Sequence, residues 1–137
     1  MPKKVSSSKQ YLFALGRRKS SVATIKLFSG KGESTVNGRP VDKYFPKLVD
    51  QIMYQKPFVV TDTPNKFHFQ AKIIGGGTKG QSEALSLAIS RALCLNTATF
   101  KPLLRAQGLM TVDSRVRQRR QVGTGGKSRR QKQSPKR

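Results

Sequence analysis

Apolar and polar positions alternate most regularly between Lys66 and Ile74. Phe67, Phe69, Ala71 and Ile73 fall on one side and Lys66, His68, Gln70 and Lys72 on the other, which predicts a strand with one buried face. Ser21 to Phe28 alternates in the same way, with Ala23, Ile25 and Leu27 opposite Val22, Thr24, Lys26 and Phe28. Tyr11 to Leu15 is a short apolar run, and Gly16-Arg17-Arg18-Lys19-Ser20-Ser21 between the two reads as a loop. Gly30-Lys31-Gly32 marks a turn and Glu33 to Val36 a short strand. Asn37-Gly38 then supplies the positive-φ pair that a tight turn prefers, so the domain opens as a β-meander.

Helical signals follow. Pro40 starts a mixed segment in which one short turn precedes Pro46 and a helix runs from about Lys47 to Tyr54. Pro57 is read as its end and Phe58 to Thr61 as a brief strand. From about Ser82 the period changes to that of a helix, with Leu85, Ala88, Ile89, Ala92 and Leu95 on one stripe, closed by Asn96 and Thr97. Thr99 to Gln107 predicts a shorter helix with Pro102 in its first turn and Gly108 past its end. Leu109 to Val112 is the last apolar stretch. At 137 residues the pattern makes one globular α/β domain of the α+β type over 11–114, between an arm at 1–10 and a tail at 115–137.

Charge changes the picture more than composition does. Residues 1–20 carry six basic and no acidic groups, 21–114 carry twelve and six, and 115–137 carry ten and none, for a net +22. The tail has almost nothing to bury and is interrupted by Gly123, Gly125 and Gly126. Its like charges keep it extended until a polyanion neutralises them, and fully extended it reaches on the order of 75 Å. A basic domain with basic ends is the footprint of a nucleic-acid binder. The absence of an 18-residue apolar run excludes a membrane-spanning helix, and the apolar run after the first lysines is too short for a signal peptide. One cysteine and one histidine exclude an internal disulfide and the common structural zinc patterns, so no cofactor or metal is expected.

Gly75-Gly76-Gly77-Thr78-Lys79-Gly80-Gln81 lies between a predicted strand and a predicted helix and satisfies G-x-G-x-x-G. The acidic residue a dinucleotide site needs about 20 positions later is missing, and Gln81 stands where a P-loop has lysine. What remains is a loop whose backbone can approach a phosphate, with Lys79 and Gln81 as further donors, or simply a tight strand-to-helix crossover. Arg17, Arg18 and Lys19 suit phosphate contacts in the same sense. Arg91 is either a phosphate contact or part of a solvated face. His68 has no orienting acid and reads as a surface or RNA-facing ring. Cys94 reads as a small core residue, and no catalytic constellation emerges. In the tail, Arg115, Arg117, Arg119 and Arg120 form one phosphate anchor and Lys127, Arg129 and Arg130 a second, joined by a glycine hinge.

Together Gly16-Arg17-Arg18-Lys19-Ser20-Ser21, Val36-Asn37-Gly38-Arg39, Tyr44-Phe45, Gly75-Gly76-Gly77-x-x-Gly80-Gln81, Arg91-Ala92-Leu93, Leu103 to Leu109, Asp113-x-Arg115 and the closing Lys136-Arg137 resemble one family, from about Tyr11 to the C-terminus. It is the ninth small-subunit ribosomal protein of bacteria and organelles. The resemblance implies a small sheet packed against helices with a left-handed βαβ crossover, against the usual hand. It also implies a place in the head of the small subunit, on ribosomal RNA and beside other head proteins, in bacterial cytoplasm or plastid stroma. The match leaves no room for a transit peptide ahead of it. The tail is implied to reach the peptidyl-site tRNA through Lys136 and Arg137. Ser134-Pro135 stands where relatives have Phe-Ser, and Thr124-Gly125-Gly126 replaces charge with flexibility. The competing reading is a free basic nucleic-acid-binding or RNA-chaperone protein without a fixed site.

Overall fold

The computed structural model describes residues 10–123. Strands β1 (Leu12–Arg18) and β2 (Ser21–Ser29) form an antiparallel hairpin in which Arg18 opposes Ser21. The loop expected over Gly16–Ser21 is therefore only the turn Lys19-Ser20, with Lys19 at φ +54. Gly16 belongs to the strand because a helix lies directly on it: a Cβ there would sit 2.1 Å from the Ala84 carbonyl oxygen. Its glycine serves a backbone contact and not a turn.

Strand β3 (Thr35–Val36) turns through Asn37 and Gly38, at φ +50 and +79, into β4 (Arg39–Pro40). Helix α1 (Val41–Tyr44) and helix α2 (Leu48–Val60) follow, then β5 (Phe67–Ile74), α3 (Thr78–Asn96) and α4 (Phe100–Ala106). The sheet order is β1-β2-β5-β3-β4, with β5 antiparallel to β2 and parallel to β3. The parallel pair is linked through β4, α1 and α2, which gives the crossover connection of an α+β fold.

Two helix boundaries and one buried position differ from expectation. Pro57 lies inside α2, so Phe58 to Val60 are its last turn and not a strand. The missing amide costs one bond near the helix end. The ring is buried there, and the turn is closed by the Thr61 amide and hydroxyl donating to the Pro57 carbonyl and by the Thr63 amide donating to that of Phe58. Helix α3 begins at Thr78, before the apolar period is visible, so Lys79 to Gln81 form its first turn. Leu95 is exposed and Leu93 is buried in its place. Helix α4 ends as expected: Gly108, at φ +71, donates to Arg105 and Leu109 donates to Leu104, a Schellman closure.

Helix α3 packs on β1 and β2 and also against α2. Ala23, Ile25, Leu27, Phe69, Ala71 and Ile73 meet Leu85, Ala88, Ile89, Ala92 and Leu93 in one core. Tyr54 and Phe58 of α2 reach Phe69 with ring centroids 6.3 and 6.4 Å away. Phe13, Lys26, Gln70, Lys72 and Ile74 stay exposed on the other strand positions. Among the described residues no helix is long and apolar enough to cross a membrane.

Candidate nucleic-acid interface

The end of β1, the end of α2, the start of α3 and the chain after α4 converge on a depression of about 320 Å³. Four of the residues picked out from sequence line it: Arg17, Arg18, Lys79 and Arg115. Lys56 joins them. No motif in the sequence marks it.

Arg18 is a strut within this site. Its Nε donates to Glu83 at 2.6 Å and its Nη1 to the Arg115 carbonyl at 2.8 Å, and its Nη2 lies 3.4 Å from Asp113. Arg115 donates to both oxygens of Asp113. Those bonds hold the Asp113 carboxyl well below the usual carboxylate range and push the Arg115 guanidinium up. The two carboxylates of the depression are thus neutralised from within. Arg17, Lys56 and Lys79 stay exposed and outside any ion pair among the described residues. The surface they present is positive, close to the origin of the tail.

The glycine loop is shaped mainly by the protein itself. Gly75 and Gly76 have φ of +76 and +68, and a Cβ on Gly76 would sit 1.9 Å from Ser21 Oγ. Gly80 faces the same hydroxyl at 3.0 Å, so the β1–β2 turn nests against the start of α3. Gln81 locks the arrangement: its Nε2 donates to the Gly75 carbonyl and its Oε1 accepts from the Tyr44 hydroxyl, both at 2.9 Å. Ser21 Oγ donates to the same carbonyl at 3.1 Å. Asn37 extends the parallel ladder with its side chain, accepting from the Ile73 amide at 2.9 Å and donating to the Ile73 carbonyl at 3.0 Å. Sequence reasoning saw only the turn propensity of Asn37. Of the loop's two expected donors, Lys79 is exposed and Gln81 is engaged internally.

Arg91 donates to the Leu15 carbonyl at 2.8 Å, so it too has a structural partner. Lys19 is exposed in the β1–β2 turn, and Arg117, Arg119 and Arg120 are exposed on irregular chain beyond Arg115. Lys127, Arg129, Arg130, Lys136 and Arg137 lie outside the described residues. His68 is half-buried instead of fully presented: it stacks on Phe28 at 5.2 Å, its Nδ1 lies 3.0 Å from the Gly30 carbonyl, and Gly32 leaves room for its ring. Cys94 packs against the core beside Met110, and burial pushes its thiol up. No group of three metal-ligating side chains occurs among the described residues.

An α+β domain whose carboxylates at this depression are paired internally, while Arg17, Lys56 and Lys79 beside them face outward, defines a basic protein with a surface suited to a polyanion. The family described as ribosomal protein S9/S16 matches residues 16–137. The chain is 42% identical over 113 residues to the small ribosomal subunit protein uS9 of Methylacidiphilum infernorum, spanning 82% of this chain and 83% of that one. It is 40% identical over 119 residues to the protein of the same name from Maridesulfovibrio salexigens, 87% and 92% of the two chains. With that of Porphyromonas gingivalis it shares 41% over 113 residues, 82% and 88%. The chain belongs to the ribosomal protein S9/S16 family.

Proposed function

We propose that this protein is a non-catalytic structural constituent of the small ribosomal subunit, seated in its head on ribosomal RNA. The observation that carries the RNA contact is the set of exposed cations Arg17, Lys56 and Lys79, outside any ion pair among the described residues, around a depression whose carboxylates are already neutralised. Lys19 and the Arg115–Arg120 segment extend this surface to phosphates on either side. The tail continues it, with Lys127, Arg129 and Arg130 as a second anchor and Lys136 and Arg137 at the peptidyl-site tRNA. Relatives that carry the small-subunit name over most of their length support the placement. The working compartment is bacterial cytoplasm or plastid stroma.

Binding of the isolated protein to ribosomal RNA tests the contact. By analogy with duplex DNA, six to ten phosphate contacts lose roughly 10³ to 10⁵ in affinity between 50 and 200 mM salt. A flat salt response refutes the phosphate reading. Sedimentation separates the alternative, since salt-washed small subunits retain a constituent and shed a free RNA chaperone.

A further inference from the structure

The six carboxylates of this chain are not spread at random. Glu83 and Asp113 are paired with Arg18 and Arg115, and Asp50 is buried against Ser82. Of the remaining three, Glu33 and Asp42 line one cleft of about 440 Å³ between the β3 hairpin and the end of α2. Tyr54, Phe58, Phe67 and Phe69 also line it, and among the described residues no Lys or Arg does. Asp42 accepts a bond from the Tyr54 hydroxyl at 3.2 Å, while Glu33 is in no ion pair among the described residues. In a molecule of net charge +22 this is a locally anionic, aromatic cleft.

Its rim is apolar. Val59 lines the cleft and is 70% exposed, and Leu48 and Ile52 lie on the same side of α2 at 70% and 58%. Positions 48, 52 and 59 fall within about 40° of one another on a helix, so they form one stripe leading to the cleft. An RNA backbone is disfavoured there, because its phosphates would face two carboxylates and its sugars offer little to an aliphatic stripe. A cationic side chain fits: carboxylates supply the counter-charge and ring faces the cation–π attraction.

The geometry points to a protein-docking site in which the cleft takes a Lys or Arg side chain of a neighbouring subunit protein and the α2 stripe covers the apolar residues beside it. This surface is distinct from the basic depression, and it rests on the chain's placement in the small subunit. The test installs a photoreactive benzoylphenylalanine in place of Val59 in the full-length chain, within assembled, salt-washed small subunits. Irradiation is expected to join it to one subunit protein, at a peptide containing Lys or Arg. Glu33→Gln, which removes no side-chain hydrogen bond among the described residues, is expected to lower the yield by roughly threefold to tenfold. Cross-linking to RNA, to the chain's own N-terminal arm or to nothing overturns the inference, as does a yield indifferent to Glu33→Gln. Failure of the unaltered chain to enter subunits sinks the placement and this site together; the other results sink the site alone.

Discussion

Gly76 and Gly77 are neighbours of the same type with opposite reasons to exist. At Gly76 the backbone is left-handed and a Cβ would collide with Ser21, whereas at Gly77 φ is −98 and a Cβ meets open space. Gly76→Ala is expected to cost about 1–3 kcal/mol, read as a lower urea midpoint, while Gly77→Ala stays within about 0.5 kcal/mol. Equal losses at both would show that the loop is not shaped by the β1–β2 turn. Sequence could find the glycines but could not distinguish them, because the clash partner lies about 55 positions away. Tyr54 gives a second residue-scale prediction. Burial first, then the Asp42 carboxylate and its hydrogen bond, raise its phenol to about 12. The unfolded chain ionises first, so this contribution is whole below about pH 10 and is lost as pH rises from 10 to 12. Lysine titration moves stability over the same range, so the measurement is the difference from Tyr54→Phe. That difference should be constant up to about pH 9 and shrink above 10.

Among elements, the decisive join is Arg18, which ties the end of β1 to α3 and to the chain after α4. Its side chain is 12% exposed and that of Glu83 21%, so the bond lies largely out of water. Arg18→Ala is expected to cost about 1–3 kcal/mol and to speed hydrogen exchange at the Arg115 amide, which is held by Asp113. Arg18→Lys should recover little, because an ammonium cannot reach all three oxygens in a fixed fork. A double-mutant cycle with Glu83→Gln that shows no coupling would reduce the strut to a surface pair. The strands were legible from alternation because each has one buried face. The ends of α2 and the start of α3 were not. A buried proline is tolerated in a closing turn, and a first turn of Thr, Lys, Gly and Gln carries no apolar period to detect. Arg18 looked like any other cation beside Arg17 and Lys19, and only its partners distinguish it.

At the scale of the molecule the +22 charge is divided between two tasks. Some cations hold the fold, as Arg18 and Arg91 do, and others, among them Arg17, Lys56 and Lys79, are exposed. Charge counting points to a class of partner but could not make this division. The tail is where surplus charge is greatest. Removing Lys136 and Arg137 is expected to leave subunit assembly unchanged and to weaken peptidyl-site tRNA binding by about tenfold, the worth of two exposed cationic contacts. Filter binding to purified subunits measures it, and loss of assembly from so small a deletion would contradict the division of roles between body and tail.

Helix α3 contributes one further thing through Arg91. Strand β1 is the outermost strand on its side of the sheet, and Tyr11 to Leu15 is five uncharged apolar or aromatic residues in a row. Such a margin can template the same strand of another copy. The guanidinium on the Leu15 carbonyl occupies one acceptor of that strand and places a positive charge beside it, with Arg17 and Arg18 just beyond. The residue that fastens the helix to the sheet is thereby also placed where a charge disfavours edge-to-edge pairing.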